Sequence, residues 1–327
     1  MRNVSYELEA FDSDDDTPSA TTPLATLDMG LVFERQTRFG DSNWLQTLEP
    51  RLYYFYSDYE EQNNNPDFDT KALKFSYSQL FRDTRFTGHD RLDDANQVSV
   101  GVTSRFINDG EGREVLTMSV GQIFYFDDRR VQLNARDDDE IVSNSQIATD
   151  IQYQPTDRLW LTNTLLWDSR QDYLQEGGIG MQYQASNKSL YNLGYRFNRE
   201  AASNLGFGRR DVSQADASMV LPISERWTTF ARYRYDVEEN RSIDDVFGLQ
   251  YEDCCWMVRL LYQRSFQDEF VEVIEDDTLM PDELTSNIVV ERDYAFILEF
   301  ELKGLGSLGN KAQKLLEENI LGYEDLD

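Results

Sequence analysis

Histidine, cysteine and lysine are nearly missing from this chain. The only histidine is His89, and the only cysteines are the adjacent pair Cys254 and Cys255. Lysine occurs at 71, 74, 188, 303, 311 and 314, so the other 25 of the 31 basic residues are arginine. Catalysis of the Ser–His or Cys–His kind would have to run through His89, which sits in Phe86-Thr87-Gly88-His89-Asp90-Arg91. No Gly-x-Ser-x-Gly elbow and no phosphate-cradling glycine loop accompanies it. A single loop histidine reads as a surface or packing residue. With 61 carboxylates, no one pair stands out as an acid–base couple. Two thiolates with no histidine beside them make an incomplete zinc ligand set. No enzyme, no cofactor and no metal is expected.

Long apolar runs are missing too. The longest stretch without a charge is Val115 to Phe126, 12 residues, against the ~20 that a spanning helix needs. Positive charge is in deficit: the net charge is -30 and the isoelectric point about 4.3, a surface that nucleic-acid phosphates would repel. Met1-Arg2-Asn3 leads directly into strand-like sequence, with no signal peptide. The expectation is a cytoplasmic chain or a piece of a longer one.

What the chain has in abundance is alternation. Val98, Val100 and Val102 alternate with Gln97, Ser99, Gly101 and Thr103. The turn Asn108-Asp109-Gly110-Glu111-Gly112 follows, and then Leu116, Met118, Val120, Phe124 and Phe126 oppose Thr117, Ser119, Gly121 and Tyr125. A period of two with a Gly/Asn/Asp turn is an antiparallel hairpin. Its strands run to about 11–13 residues, where a soluble strand has about 5–6 and a bilayer needs about 9–11. The rhythm recurs over Val4–Ala10, Leu27–Phe33, Leu48–Tyr56, Leu73–Tyr77, Ile147–Tyr153, Leu159–Trp167, Ile179–Tyr183, Tyr191–Phe197, Ala215–Leu221, Trp227–Tyr235, Phe247–Tyr251, Trp256–Tyr262 and Tyr294–Leu302. The predicted fold is all-β: an antiparallel transmembrane β-barrel of about 15 strands.

Short connections are expected at 107–113, 155–157, 185–188, 222–225 and 252–254, and longer ones at 79–95, 127–143, 198–211 and 265–289. Tight turns on one rim and long loops on the other describe an outer-membrane barrel. The connection at 58–69 is longer than that rule prefers. Aromatics near strand ends (Tyr53 to Tyr56, Trp160, Trp167, Trp227, Tyr235) agree with it. The competing class is a soluble β-sandwich, which also alternates. An odd strand count points to an incomplete barrel, because single-chain bacterial barrels have even counts. Arginine-rich alternation suits ion ladders in a polar lumen.

Cys254 and Cys255 are expected to point to opposite faces at a strand end. Neighbouring Cα atoms lie about 3.8 Å apart, short of the usual disulfide span of about 4.4–6.8 Å. They are free thiols, or they pair with cysteines on polypeptide outside this chain.

Several stretches in order resemble one family, the lipopolysaccharide-assembly LptD proteins of Gram-negative outer membranes. They are Leu48-Glu49-Pro50-Arg51 with Tyr53-Tyr54, Leu80-Phe81-Arg82-Asp83, Gly88-His89-Asp90-Arg91, Asn96-Gln97-Val98, Gly101-Val102-Thr103-Ser104-Arg105, Ser119 to Phe126, Cys254-Cys255, and Glu299-Phe300-Glu301-Leu302-Lys303-Gly304-Leu305. The resemblance covers nearly the whole chain. It implies that 1–303 is the C-terminal part of the family's outer-membrane barrel and 304–327 a periplasmic tail. In the tail, Leu315, Leu316 and Ile320 suggest a short amphipathic helix or turn over 310–321, capping the barrel end.

The resemblance also implies a function, insertion of lipopolysaccharide into the outer leaflet through a lateral gate, with a general porin or substrate channel as the alternative. The gate role falls on the last strand: Tyr294, Ala295, Phe296, Ile297, Leu298, Glu299, Phe300, Glu301, Leu302 and Lys303. Phe81, Arg82, Asp83, Gly88, Asp90 and Arg91 fall in a loop turned toward the lumen or plug. Cys254 and Cys255 take disulfides to an N-terminal part. The implied partners are the plug lipoprotein LptE, the periplasmic bridge protein LptA (reached through the N-terminal part), lipopolysaccharide and outer-membrane lipid. The implied location is the outer membrane of a Gram-negative bacterium.

Overall fold

A computed structural model of the chain describes residues 1–8, 16–40, 42–133, 141–185, 188–202, 209–269, 289–303, 306–308 and 311–323. The expected turn residues Ser186 and Asn187, the middle of the 127–143 loop and most of the 265–289 loop lie outside the described residues, as do Gly304 and Leu305.

Two compact units divide the chain, Met1–Pro155 with Thr162–Gln175, and Thr156–Leu161 with Glu176–Asp327. In the first, β1 (Arg2–Ser5) and β2 (Ser19–Thr22) form a small hairpin. Then come β3 (Leu24–Gly30), β4 (Phe33–Phe39), β5 (Ser42–Ser57), β6 (Ala95–Asn108), β7 (Arg113–Tyr125) and β8 (Ile147–Thr156). β9 (Leu159–Asp168) carries residues of both units. The second holds β10 (Tyr173–Gln184) from Glu176 onward, β11 (Leu190–Ala202), β12 (Arg209–Pro222), β13 (Trp227–Asp236), β14 (Arg241–Glu252), β15 (Trp256–Glu269), β16 (Val289–Leu302), β17 (Gly306–Leu308) and, among the described residues, one helix, α1 (Lys311–Asn319). Within each unit the sheet strands follow chain order and every pairing is antiparallel, except that β3 and β4 both pair with the 16-residue β5.

The predicted strand 27–33 is therefore two strands. The break falls at Leu31–Val32, where the Leu31 N–H bonds the carbonyl of Pro50 (3.0 Å). Strands β5 to β16 are 10 to 16 residues long, as the rhythm predicts. Some of their ends are set by side chains that capture the following turn. Asn108 accepts the N–H groups of Gly110 and Glu111 (2.9 and 3.2 Å), and Asp236 those of Glu238 and Glu239 (3.0 and 3.1 Å).

One expected strand is absent. Leu73 to Tyr77 runs as an extended segment with a single bridge, Ala72 to Phe86, and enters a 3-10 turn at Tyr77–Phe81. The β5–β6 connection is thus one long segment, 58–94. This removes the misfit that the sequence showed at 58–69.

The faces of the sheet are inverted relative to a soluble sheet. Val100, Val120 and Phe124 in the first unit, and Ile179, Leu193, Phe247, Leu260 and Leu298 in the second, stand exposed; Ile179 is 60% and Leu298 69% accessible. The opposite face buries Gln97, Ser99, Thr103, Thr117 and Ser119 in the first unit and Asn192, Ser218, Asp244, Arg259 and Glu299 in the second. Buried polar groups need partners. Thr103 Oγ1 lies 2.9 Å from Ser119 Oγ, and Asn192 donates to Ser218 (3.1 Å). A chain that exposes one whole apolar face and hides its hydroxyls is folded for a solvent that is apolar on that face.

Ile179→Arg is expected to destabilise the protein in lipid vesicles by about 2–4 kcal/mol, the cost of an arginine near the midplane of a lipid-facing strand. In a soluble sheet the same exposed substitution falls within about ±0.5 kcal/mol. Denaturant unfolding from vesicles separates the two.

Candidate functional site

Three features carry the functional reading: the segment 58–94, the cysteine turn, and the last strand with its tail.

Segment 58–94 lies on the polar face of β5 to β7. Space for it comes from two glycines. A Cβ on Gly101 would sit 2.7 Å from Phe81 and 2.9 Å from the Tyr77 hydroxyl, and one on Gly121 would sit 2.6 Å from Leu80. Leu80 is fully buried there. Phe81 lies edge-on to Tyr77 (centroids 5.6 Å) and beneath the Arg51 guanidinium (4.3 Å).

The other loop residues singled out from sequence hold the segment together. Asp83 pairs with Arg2 (2.5 Å). Gly88 turns with φ +68° against Asp69. Arg91 donates to the carbonyls of Asn65, Pro66 and Asp90 (3.0 to 3.2 Å). Asp90 accepts the backbone N–H groups of Phe68 and Asp69 (2.8 and 2.9 Å) and the hydroxyl of Tyr6 (2.6 Å). Arg82 is exposed. Burial works against the Asp90 charge, but Tyr6 and the two N–H groups outweigh it and hold the carboxyl below its usual range. His89, between these residues, is exposed.

Sequence reasoning missed the Arg85 cluster that closes the segment. Arg85 bonds Asp93 through its backbone N–H (2.7 Å) and its Nε (2.9 Å), and Asp94 accepts the N–H groups of Arg130 and Val131 (2.8 and 3.0 Å). The signal was the adjacent pair Asp93-Asp94 within reach of Arg85, lost among so many carboxylates.

Cys254 and Cys255 are free and exposed in the 253–255 turn, between β14 and β15. Their sulfurs lie 2.9 Å apart. The expectation of opposite faces is corrected: both residues are in the turn, where strand alternation does not apply. The Cys255 thiol beside it raises the Cys254 thiol above its ordinary value, and Asp253 adds to the effect. A thiol held protonated is a slow nucleophile at neutral pH.

The last strand divides its residues between two faces. Tyr294, Phe296, Leu298, Phe300 and Leu302 are on the apolar face, and Ala295, Ile297, Glu299 and Glu301 are on the other. Phe296 is 75% and Glu299 2% accessible. β15 pairs with all 14 residues of β16, from Trp256↔Leu302 to Glu269↔Val289. On its other edge β17 covers only Phe300, Glu301 and Leu302. Among the described residues, the edge from Val289 to Glu299 has no sheet partner. Lys303 follows the strand, with its N–H on the Cys255 carbonyl (3.0 Å) and its ammonium on Glu252.

Strands of bilayer length, an exposed apolar face and a face of buried ion pairs define a membrane-spanning antiparallel β-barrel protein. The model of one family, LptD, LPS transport system D, matches residues 2–227. LPS-assembly protein LptD of Xanthomonas axonopodis pv. citri is 37% identical over 314 residues, 94% of this chain and 36% of its own length. Its namesake in Xylella fastidiosa strain 9a5c is 37% identical over 309 residues, with the same coverage. The chain belongs to the LptD family, and it is part of an outer-membrane protein. It spans somewhat over a third of the length of these relatives. Among solved structures, the siderophore receptor PirA of Acinetobacter baumannii is similar at 9% identity and a TM-score of 0.40, over 90% of this chain and 51% of that one. A likeness this slight carries no argument.

Gly101→Val is expected to push Phe81 and Tyr77 off the sheet at a cost of about 1–3 kcal/mol, the usual range for overpacking. Faster proteolysis of 58–94 with the strands intact is the readout. Tyr6→Phe is expected to free the N-terminal hairpin. Asp90 has a lowered folded-state value, so its contribution is present above the unfolded value near 3.9 and lost as pH falls through the folded one. Hydrogen exchange of residues 1–8 therefore differs between wild type and Tyr6→Phe at pH 7, and the difference vanishes in stronger acid.

Proposed function

We propose that the chain is the C-terminal part of an outer-membrane translocon that inserts lipopolysaccharide into the outer leaflet, with β16 as one side of a lateral gate. Membership of the LptD family supports the substrate and the compartment. The observation that carries the gate is the uncovered edge of β16. A strand in lipid cannot leave a row of N–H and C=O groups unpaired, because each costs several kcal/mol, so that edge needs a partner strand. A seam closed by two edges from distant parts of one polypeptide can part without breaking a hairpin. Acyl chains then leave along the apolar face, past Phe296, Leu298 and Phe300. The phosphorylated sugar keeps to the polar face that carries Glu299 and Glu301. No covalent chemistry is needed.

The remaining roles follow the same reading. Residues 1–303 form the barrel portion and 304–327 its periplasmic tail. The 253–255 turn, at the end of the sheet with the short connections 185–189 and 223–226, offers both thiols to cysteines of an N-terminal part. Segment 58–94, with Phe81, Arg82, Asp83, Gly88, Asp90 and Arg91, faces the lumen, where the plug LptE sits. LptA delivers the lipid through the N-terminal part.

In the full-length protein, a covalent crosslink between β16 and the strand that faces its free edge is expected to stop lipopolysaccharide from reaching the cell surface. Undiminished surface display in crosslinked cells would remove the gate.

A further inference from the structure

The tail does more than end the chain. Ala312, Leu316 and Ile320, spaced four apart, bring one stripe of α1 and the turn after it onto the face opposite the exposed apolar one. There they close a buried cluster with Leu190 of β11, Val220 of β12, Phe230 of β13 and Leu261 of β15. These four are apolar residues in the polar register of their strands, an exception with no purpose in an open lumen. Tyr323 stacks edge-on against Phe230 (centroids 5.7 Å), and the Leu321 carbonyl accepts from Asn192 (3.0 Å). Gly322, at φ +78°, comes so close to Gln182 of β10 that a Cβ would lie 2.1 Å from its amide nitrogen.

The other end of the helix is tied to the last strand. Glu299 Oε2 accepts the backbone N–H groups of Ala312 and Gln313 (3.0 and 3.1 Å), placing a carboxylate at a helix N-terminus, where the dipole favours it. Its other oxygen meets Arg259 of β15 (3.5 Å). Arg259 is 3% exposed and also donates to Gln250 of β14 (2.9 Å), Gln313 (2.9 Å) and the Tyr323 hydroxyl (3.1 Å). Every branch of this network ends on the helix, its following turn, or strands β14 to β16.

We propose that residues 311–323 are an intramolecular latch, a ligand for the polar face built into the chain, which fixes β16 to the strands from β10 to β15. The apolar stripe supplies affinity, and Glu299 makes the last strand the point of attachment. Among the described residues β16 has one full sheet neighbour, β15, and the latch adds a second set of contacts to that ladder. With the helix seated, pulling β16 outward must also strip Glu299 from the helix N-terminus and leave Arg259 buried without its charge partner, which is strongly unfavourable. The latch stands on this geometry alone. Its consequence, that β16 opens only as far as the helix allows, rests on the gate reading.

Hydrogen exchange on the full chain in bilayer discs tests it. Leu316→Ala removes one seated side chain from a helix lying on an already formed sheet, and is expected to speed exchange of 294–302 at least tenfold while 98–107 keeps its wild-type rate. Glu299→Gln, which keeps the shape and an acceptor oxygen, is expected to give a smaller increase in the same residues. Lys314→Ala, on the exposed side, is expected to give none. Unchanged exchange at 294–302 in both Leu316→Ala and Glu299→Gln would overturn the latch. Equal acceleration at 98–107 would do so too, by making the helix a general source of stability. Neither result depends on lipopolysaccharide export, so a latch that holds in a protein that does not export lipid would reject only the gate.

Discussion

Everything in this structure follows from one requirement: in hydrocarbon, each backbone N–H and C=O must find a partner within the protein. Only paired strands satisfy it here, since no helix of the described residues is long and apolar enough to cross a membrane. Strand pairing in turn fixes where side chains go. Each residue belongs to the lipid or to the polar face, and the choice alternates along the chain. The exposed Val, Leu and Phe rows and the buried Ser, Thr, Asp and Arg rows are two consequences of that constraint. It also explains why a free edge matters more here than in water. In a soluble sheet the edge from Val289 to Glu299 could be wetted; in lipid it demands another strand.

The polar face is not left empty. Segment 58–94 covers it in the first unit and α1 in the second, by different means. The loop relies on glycines that let Leu80 and Phe81 approach the backbone, and it organises itself around Asp90 and the Arg85–Asp93 pair. The helix relies on large apolar residues set into polar rows, and on a single carboxylate. Both are local inserts stitched to the sheet by charge-assisted bonds, which are strong where water is scarce.

How much of this was legible depends on which physical rule wrote the pattern. The hairpin 95–125 could be read because a period of two over more than ten residues has few other causes. Leu73 to Tyr77 shows the limit. Five alternating residues arise equally well in an extended segment lying across a sheet, and only the glycines at 101 and 121, one hairpin away, say which it is. The break at Leu31–Val32 left no mark, since β3 and β4 share a partner and keep the same rhythm. Cys254 and Cys255 were assigned opposite faces by a strand rule that stops at the turn. Phe81 and Asp90 were singled out through family resemblance and the last strand through its alternation, whereas Arg259 passed as one more lumen arginine. Its importance comes from the helix some fifty residues later, a contact that no local pattern encodes. Leu190, Val220 and Leu261 were visible as apolar residues out of register, and that misplacement is the signal by which such a docking site can be found.

The central claim is that the exposed apolar face meets acyl chains. Spin labels placed one at a time along Tyr191 to Phe197 of β11, in a Cys254→Ser, Cys255→Ser background reconstituted in lipid, read it out by collision with oxygen and with a water-soluble nickel chelate. The account predicts oxygen maxima at 191, 193, 195 and 197 and minima at 192, 194 and 196. High nickel accessibility at the odd positions, or no period of two at all, would contradict it.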